Sequence, residues 1–307
     1  MNLKPLRIFT PVFGKRHIDL LSRALGRSLL WPKNFETIKD AKWILFIHKN
    51  EFEQVMGIAT KVLPSHQIET IEFDGSLEEL TKARGILMCQ AFAKTIRGCI
   101  RENTRLLVST ADFIWADGTL ANMLTLSEQT NTCVSLPHPR VLPSILDHID
   151  SSKNSFDLVT LMMKHPHRSW VNSEYGKHFA TYKGGILWRR SGAGVLALQH
   201  RMPSPYMLNF TKDDIDYFTA SNDNKIAAWG AIDHDWASHL CETQRWRMIL
   251  SSDIGFMAEV TSENDNLPPQ SPCDMKNPDD FWTQDRTTHL LHHRLNRQFI
   301  ATFRGDF

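Results

Sequence analysis

No stretch of this sequence approaches the roughly 20 apolar residues of a membrane span, and its opening, MNLKPLRIFTPVFGKRHIDLL, lacks an apolar segment of signal-peptide length. An excess of one charge is missing too. With 35 Lys and Arg against 34 Asp and Glu, no global field draws the chain to nucleic acid or to an acidic membrane. No two cysteines stand at C-x-x-C spacing: Cys89, Cys99, Cys133, Cys241 and Cys273 are odd in number and far apart, which fits reduced thiols rather than a zinc site or a disulfide frame. The G-x-G-x-x-G dinucleotide fingerprint and the G-x-x-x-x-G-K-[ST] phosphate loop are absent, against a standard NAD enzyme or a P-loop ATPase. Internal repeats are absent as well. These absences predict a cytoplasmic protein with no nucleic-acid partner and no transmembrane segment; they leave its oligomeric state open.

What is present is an alternation. At 307 residues the chain suits one large α/β domain or two intimately joined ones. Leu6–Thr10 reads as a strand, followed by a loop at Pro11–Gly14 and a helix with Ile18, Leu21, Ala24, Leu25 and Leu29 at helical spacing. Trp43–His48 is a second apolar run, suited to a strand covered on both faces, and Phe52–Leu63 the helix after it. Ile68–Phe73 alternates with period two and reads as a third strand, nearer an edge. Leu77 to Arg101 carries a long apolar helical stripe, and Arg105–Ser109 gives a fourth strand. The expected fold class is α/β: a largely parallel sheet flanked by helices, because each parallel crossover needs a helix on the face.

The second half is less regular. Thr132–Leu136 reads as a strand, Ser144–Asp150 and Phe156–Lys164 as helices, and the glycines and prolines between 184 and 205 predict short strands and loops. The chain is expected to divide into an α/β domain over 1–263, a polar, proline-rich linker over 264–280, and a C-terminal helix and tail over 281–307.

Several constellations carry chemistry. Asp112 and Asp117, followed by Gly118, leave the fourth strand in the segment ADFIWADGTL. Carboxylates there suit magnesium or manganese bridging a diphosphate, and Gly118 lets backbone approach a ligand. Asp-Gly is also a common turn dipeptide, which is the competing reading. Asp233, His234 and Asp235 form a run of ionisable residues that suits a general base, or an N-cap at Asp233. The basic stretches around Arg140, His165, His167 and His200 would hold phosphate oxygens if they converge. Pro11, Phe13 and Gly14, in the first βα loop, would sit against a nucleotide base. Trp115, Trp188, Trp229 and Trp236 lie beside these polar groups, where their rings would stack on a ligand or fill a core.

Taken in order, IFTPVFGKRHIDLL, ADFIWADGTL and AIDHDW resemble the layout of bacterial nucleotide-sugar-dependent glycosyltransferases of the A type, with the order of elements matching from about Leu6 to Val260. The resemblance implies one Rossmann-like α/β domain with a donor half over 1–140 and an acceptor half over 141–263. It further implies transfer of a sugar from a nucleotide-sugar donor to a glycan or small-molecule acceptor, as in surface-polysaccharide or glycoconjugate assembly. By that resemblance Asp117 holds the metal or the ribose, Asp112 supports it, and Asp233 or Asp235 is the base. The sequence departs from the family's D-x-D pattern, since Gly118 and Thr119 follow Asp117 with no second acid two places on. The implied Mg or Mn is then held differently or dispensed with. Two other readings stand beside this one: a metal-dependent hydrolase or phosphoesterase using the Asp and His clusters, and a non-catalytic nucleotide-sugar-binding subunit.

Overall fold

The computed structural model describes residues 4–75, 77–128, 132–151, 153–171, 174, 179–180, 186–192, 194–199, 205–219, 239–240, 243–264, 272–273 and 300–306. They form two compact units: Met1–Ser135 with Ser204–Arg247, and Leu136–Pro203 with Met248–Phe307. The chain leaves the first unit after Ser135 and returns to it for 204–247.

The first unit is built on a seven-stranded sheet. Strand β1 (Leu6–Val12) lies in its middle, and all seven of its residues are buried. It pairs in parallel with β2 (Lys42–His48) on one side and with β4 (Arg105–Val108) on the other; β3 (Ile68–Phe73) continues the parallel set beyond β2. The near-continuous apolar character of β1 and β2 follows from cover on both faces, whereas β3 is only half-buried, as its period-two pattern predicts for an edge. The sheet is largely parallel and flanked by helices. Strand Met207–Asn209 departs from this and runs antiparallel to both β4 and β6 (Cys133–Ser135).

Two helices fix how β1 is covered. The first runs as Lys15–Leu20, a π turn Leu21–Leu25, and Gly26–Leu29, with the Gly26 N–H reaching the Leu21 carbonyl. A Cβ at Gly26 would stand 2.7 Å from that carbonyl oxygen, so the wide turn requires glycine there. The second helix, Leu77–Glu102, buries Cys89, Phe92, Ile96 and Cys99; the Phe92 ring sits 5.1 Å from that of Phe9. It ends at Asn103, whose φ of 53° is the left-handed conformation that stops helices.

Strand Met207–Asn209 is held by polar side chains. Asn209 Nδ2 donates to the Ser127 carbonyl at 2.7 Å, and Thr211 and Asp214 form a capping box just beyond the strand. Asp214 is wholly buried and bonded through both oxygens to Arg245, at 2.9 and 2.8 Å. This neutralises a carboxylate that burial would otherwise make very costly. Burial pushes the thiols of Cys99 and Cys133 up to about 11 and about 12, in keeping with inert structural cysteines.

In the second unit, Ile186–Ser191 and Gly194–Gln199 form an antiparallel hairpin, and Gly194–Gln199 pairs on its other side with Ile300–Arg304. The expected C-terminal helix and tail over 281–307 therefore include a strand: 281–299 lie outside the described residues, and 300–304 is extended, with Ala301 and Phe303 buried in alternation. The helix Ser155–Lys164 starts at Asn154, whose side chain accepts the Asp157 N–H at 2.9 Å. The expected helix over 144–150 forms as two 3₁₀ turns, Pro143–Asp147 and Ile149–Ser151. Arg140–Val141 pairs in parallel with Glu259–Val260. Of the predicted linker 264–280, only Asn264, Pro272 and Cys273 are described. Among the described residues, no helix is long and apolar enough to cross a membrane.

Candidate functional site

The sheet order in the first unit reverses at β1: β2 and β3 lie on one side and β4 on the other. In open α/β sheets ligands bind beyond the carboxyl ends of the strands at such a reversal, because the two following loops diverge and leave a crevice. Here those loops follow Val12 and Val108. Their strands are direct neighbours, with Phe9 opposite Val108 and the Ser109 N–H donating to the Phe9 carbonyl at 3.0 Å.

The loop after β1 brings Phe13 and Gly14 to this edge. Phe13 is half-buried, 5.8 Å from Phe73 and 6.2 Å from Phe46, both edge-on, and 5.7 Å from His17. His17 Nδ1 is hydrogen-bonded to the Phe13 carbonyl at 2.9 Å. Gly14 has φ of +80°, which disfavours any side chain, and a Cβ placed on it would meet nothing within 4 Å. Its N–H donates to both carboxylate oxygens of Glu51, each at 3.0 Å. Glu51 closes the 3₁₀ turn Lys49–Glu51 after β2, where His48 Nδ1 accepts the Asn50 N–H. Pro11 lies inside β1 rather than in the loop, buried and in register with Phe46 of β2.

The loop after β4 carries Asp112, and Asp117 follows only after a further short strand. Thr110 Oγ1 donates to Asp112, and the turn leads into β5 (Phe113–Trp115). Trp115 is fully buried, with Nε1 donating to Ser109 Oγ at 2.9 Å, so its ring belongs to the core and does not offer a face to a donor. Of the two readings of this ring, stacking and core, its burial fits the core.

Asp117 follows, and its Oδ1 accepts the backbone N–H groups of Lys33 at 2.8 Å and Asn34 at 3.1 Å. These belong to the first turn of helix Pro32–Ile38, whose own N-cap, Trp31, makes no side-chain cap. A residue remote in sequence therefore caps that helix, and its negative charge sits favourably at the positive end. Asn34, wholly buried, completes the join. Its Nδ2 donates to the carbonyls of Ser28, Trp115 and Ala116, and its Oδ1 accepts the N–H of Gly118 at 3.1 Å. Gly118 has φ of +91° and opens helix Thr119–Glu128.

A divalent cation fits this loop only in a loose mode. Asp117 Oδ1 is committed to two amides while Oδ2 remains available in chemistry, which suits an ion shared between one or two carboxylates and substrate phosphates. Among the described residues, no group of three or more His, Cys, Asp and Glu is placed to hold a metal by itself.

The basic candidates belong to the second unit. Arg140 Nε donates to Glu259 Oε1 at 3.2 Å, and His138 Nε2 donates to Glu259 Oε2 at 3.1 Å. Burial alone would raise the Glu259 carboxyl; the hydrogen bond and charge of His138, with Arg140, outweigh this and hold it at about 2. His165 is bonded to Ser144 Oγ at 2.8 Å and stacks on His148, the rings 5.2 Å apart; burial and then the His148 charge push its pKa down, against a role as a standing cation. His167 is wholly buried. Its Nδ1 accepts the Ser169 N–H at 3.2 Å and its Nε2 donates to the Ser262 carbonyl at 3.1 Å, so both nitrogens bind protein and a phosphate-binding role is corrected to a structural one. Trp188 likewise is core, 5.1 Å from Trp170 and parallel to it. His200, Asp233, His234, Asp235, Trp229 and Trp236 lie outside the described residues.

Asn34, Glu51 and Glu259 have no motif to announce them. Their partners are 83, 37 and 121 positions away in the chain, and only the tertiary fold brings each to its partner.

No protein-family profile matches the sequence, and no curated protein matches it. Among solved structures, a likeness is found to the mannosyltransferase PcManGT from Pyrobaculum calidifontis in complex with GDP-Man and Mn2+, at 12% identity and a TM-score of 0.41. The match covers 85% of this chain, which spans 58% of the length of that structure.

Proposed function

We propose that the chain is a nucleotide-sugar-dependent glycosyltransferase of the A type. The observation that carries the reading is the reversal of strand order at β1, with Phe13 and Gly14 beyond one strand and Asp112 beyond its neighbour, Asp117 following beyond the short strand β5. A crevice between a glycine-opened loop and an acidic loop, at the carboxyl edge of a parallel sheet, suits a nucleoside diphosphate.

In this reading the donor's base lies against Phe13 and Gly14, and its diphosphate lies near Asp117 and Asp112. The acceptor hydroxyl attacks the anomeric carbon as the bond from that carbon to the diphosphate oxygen breaks. The hydroxyl proton passes to a carboxylate or imidazole among Asp233, His234 and Asp235. Asp117 Oδ2, with Asp112, would hold Mg or Mn, which supplies neutralisation of charge on the departing diphosphate. Asp117 Oδ1 keeps the loop in register with helix Pro32–Ile38 meanwhile.

A thermal-shift screen of nucleoside diphosphates and their sugars, with and without manganese, tests the reading. A binding partner at a hundred times its dissociation constant adds about 2.7 kcal/mol of stability. A rise with at least one donor, followed by its turnover with an acceptor, is expected. Binding without turnover would favour a non-catalytic binding subunit, and no response to any donor would end the proposal.

A further inference from the structure

We propose that the turn after β2 is a clasp that sets the shape of the donor crevice, with Glu51 and His48 as its positioning residues. The inference rests on the donor-site reading above and adds what holds that site in its binding form. β2 lies between β1 and β3 in the sheet, so the loops leaving both neighbours flank its exit. Each passes through a glycine of positive φ, Gly14 at 80° and Gly75 at 141°. Glycine has few steric limits of its own, so the conformation there depends on outside restraint.

The turn Lys49–Glu51 supplies that restraint on both sides. Toward β1, both oxygens of the Glu51 carboxylate accept the Gly14 N–H at 3.0 Å. Toward β3, His48 Nε2 lies 2.7 Å from the Gly75 carbonyl oxygen. The other ring nitrogen, Nδ1, accepts the Asn50 N–H at 3.1 Å, which puts the ring proton on Nε2 and makes it the donor to Gly75. Asn50 immediately precedes Glu51 in the turn. One imidazole therefore ties the β3 loop to the same three residues that tie down the β1 loop.

Aromatic rings close the arrangement across the end of β2. Phe73, the last residue of β3, stands edge-on to the His48 ring at 5.2 Å and to the Phe13 ring at 5.8 Å. Phe13 thus has its ring placed by Phe46 and Phe73 and its main chain placed through Gly14 by Glu51. A loop already held in its binding form does not have to be ordered when the ligand arrives, and that ordering would otherwise weaken binding. Glu51 and His48 are committed to protein partners, so they act on the donor through the loops they hold. The expected signature is weaker binding with the chemical step unchanged.

The test is calorimetric binding of GDP, UDP, CDP and ADP, with manganese, to the full chain, together with hydrogen exchange at the Gly14 amide read by NMR. The proteins are the wild type, Glu51→Ala, Glu51→Gln and His48→Ala. Glu51→Ala is expected to weaken the best-bound diphosphate about tenfold. Glu51→Gln keeps an oxygen for the Gly14 N–H and is expected to stay within about threefold of the wild type. His48→Ala removes no bond to Gly14, yet it is expected to speed exchange at the Gly14 amide about fivefold, because the turn that carries Glu51 loses its brace. A Glu51→Ala protein that melts lower but binds as the wild type does reduces Glu51 to a helix cap; it overturns the clasp and leaves the transferase reading standing. Glu51→Gln as weak as Glu51→Ala, or Gly14 exchange unchanged in His48→Ala, also overturns the clasp alone. No diphosphate bound by the wild type overturns both. If His48→Ala does not fold, the contrast between Ala and Gln at position 51 decides the matter.

Discussion

The backbone N–H of Asn34 donates to Asp117 Oδ1 at 3.1 Å, and one residue further on the Gly118 N–H returns a bond to Asn34 Oδ1, also at 3.1 Å. The acidic loop and the first turn of helix Pro32–Ile38 are thus one reciprocal unit. The carboxylate proposed to face the donor also holds its own loop in place.

The two duties separate by substitution. Asparagine caps helices about as well as aspartate, so Asp117→Asn is expected to leave the melting point nearly unchanged while abolishing donor turnover. Asp117→Ala loses the cap as well and is expected to cost about 1–2 kcal/mol of stability. Urea denaturation alongside turnover reads both. If Asp117→Asn retains full activity, the residue is a cap alone.

Asn34→Ala removes hydrogen bonds to three carbonyls and two N–H groups at a wholly buried position; the Ser28 and Ala116 carbonyls keep the N–H groups of Trp31 and Thr119. A loss of about 2–4 kcal/mol is expected, from the cost of leaving buried polar groups without partners. A change within half a kcal/mol in the urea midpoint would show that water replaces the side chain.

Arg245 and Asp214 form a nearly sealed pair, 14% and 0% exposed. Arg245→Met is expected to destabilise by about 3–5 kcal/mol, because it leaves Asp214 charged and buried. Adding Asp214→Leu to it is expected to recover part of that loss. Two single-variant costs that simply add in the double variant would contradict the pairing.

The Glu259 carboxyl lies at about 2, against an ordinary 4.5. A carboxyl held below its unfolded value adds stability at pH above that unfolded value and loses it as pH falls toward the native one. Its contribution therefore disappears between about pH 4.5 and 2. Glu259→Gln is expected to be less stable at neutral pH and to show a flatter acid limb across that window. Equal slopes in both proteins, measured by denaturant midpoints from pH 2.5 to 7, would count against the ion pairs with His138 and Arg140.

The parallel half of the sheet is legible in the sequence because β1 to β4 are apolar runs separated by helices with clear stripes, and Ile68–Phe73 matches its strand to the residue. Strand Met207–Asn209 is not: three residues carry too little periodicity, and its partner Leu107 lies 100 positions earlier (207 − 107). The acidic loop is legible as a place, since Asp and Gly follow a buried strand. Its bonding is not, because the amides that Asp117 caps are 84 and 83 residues away. Trp115 and His167 mislead for a related reason: they sit beside polar residues in sequence, yet each faces inward, and local composition does not report which way a side chain points.

The late return of the chain to the first unit bears on how that unit is made. While the ribosome has delivered only the first 135 residues, β4 lacks the strand that covers its outer edge and the β6 segment lacks both of its sheet neighbours. Both then carry unpaired edge groups that can recruit a neighbouring chain. Those edges stay open until Met207–Asn209 emerges, long after the parallel strands can form. A fragment cut after Ser135 should therefore aggregate where the full chain does not, and slow synthesis between 136 and 206 should lengthen the exposure.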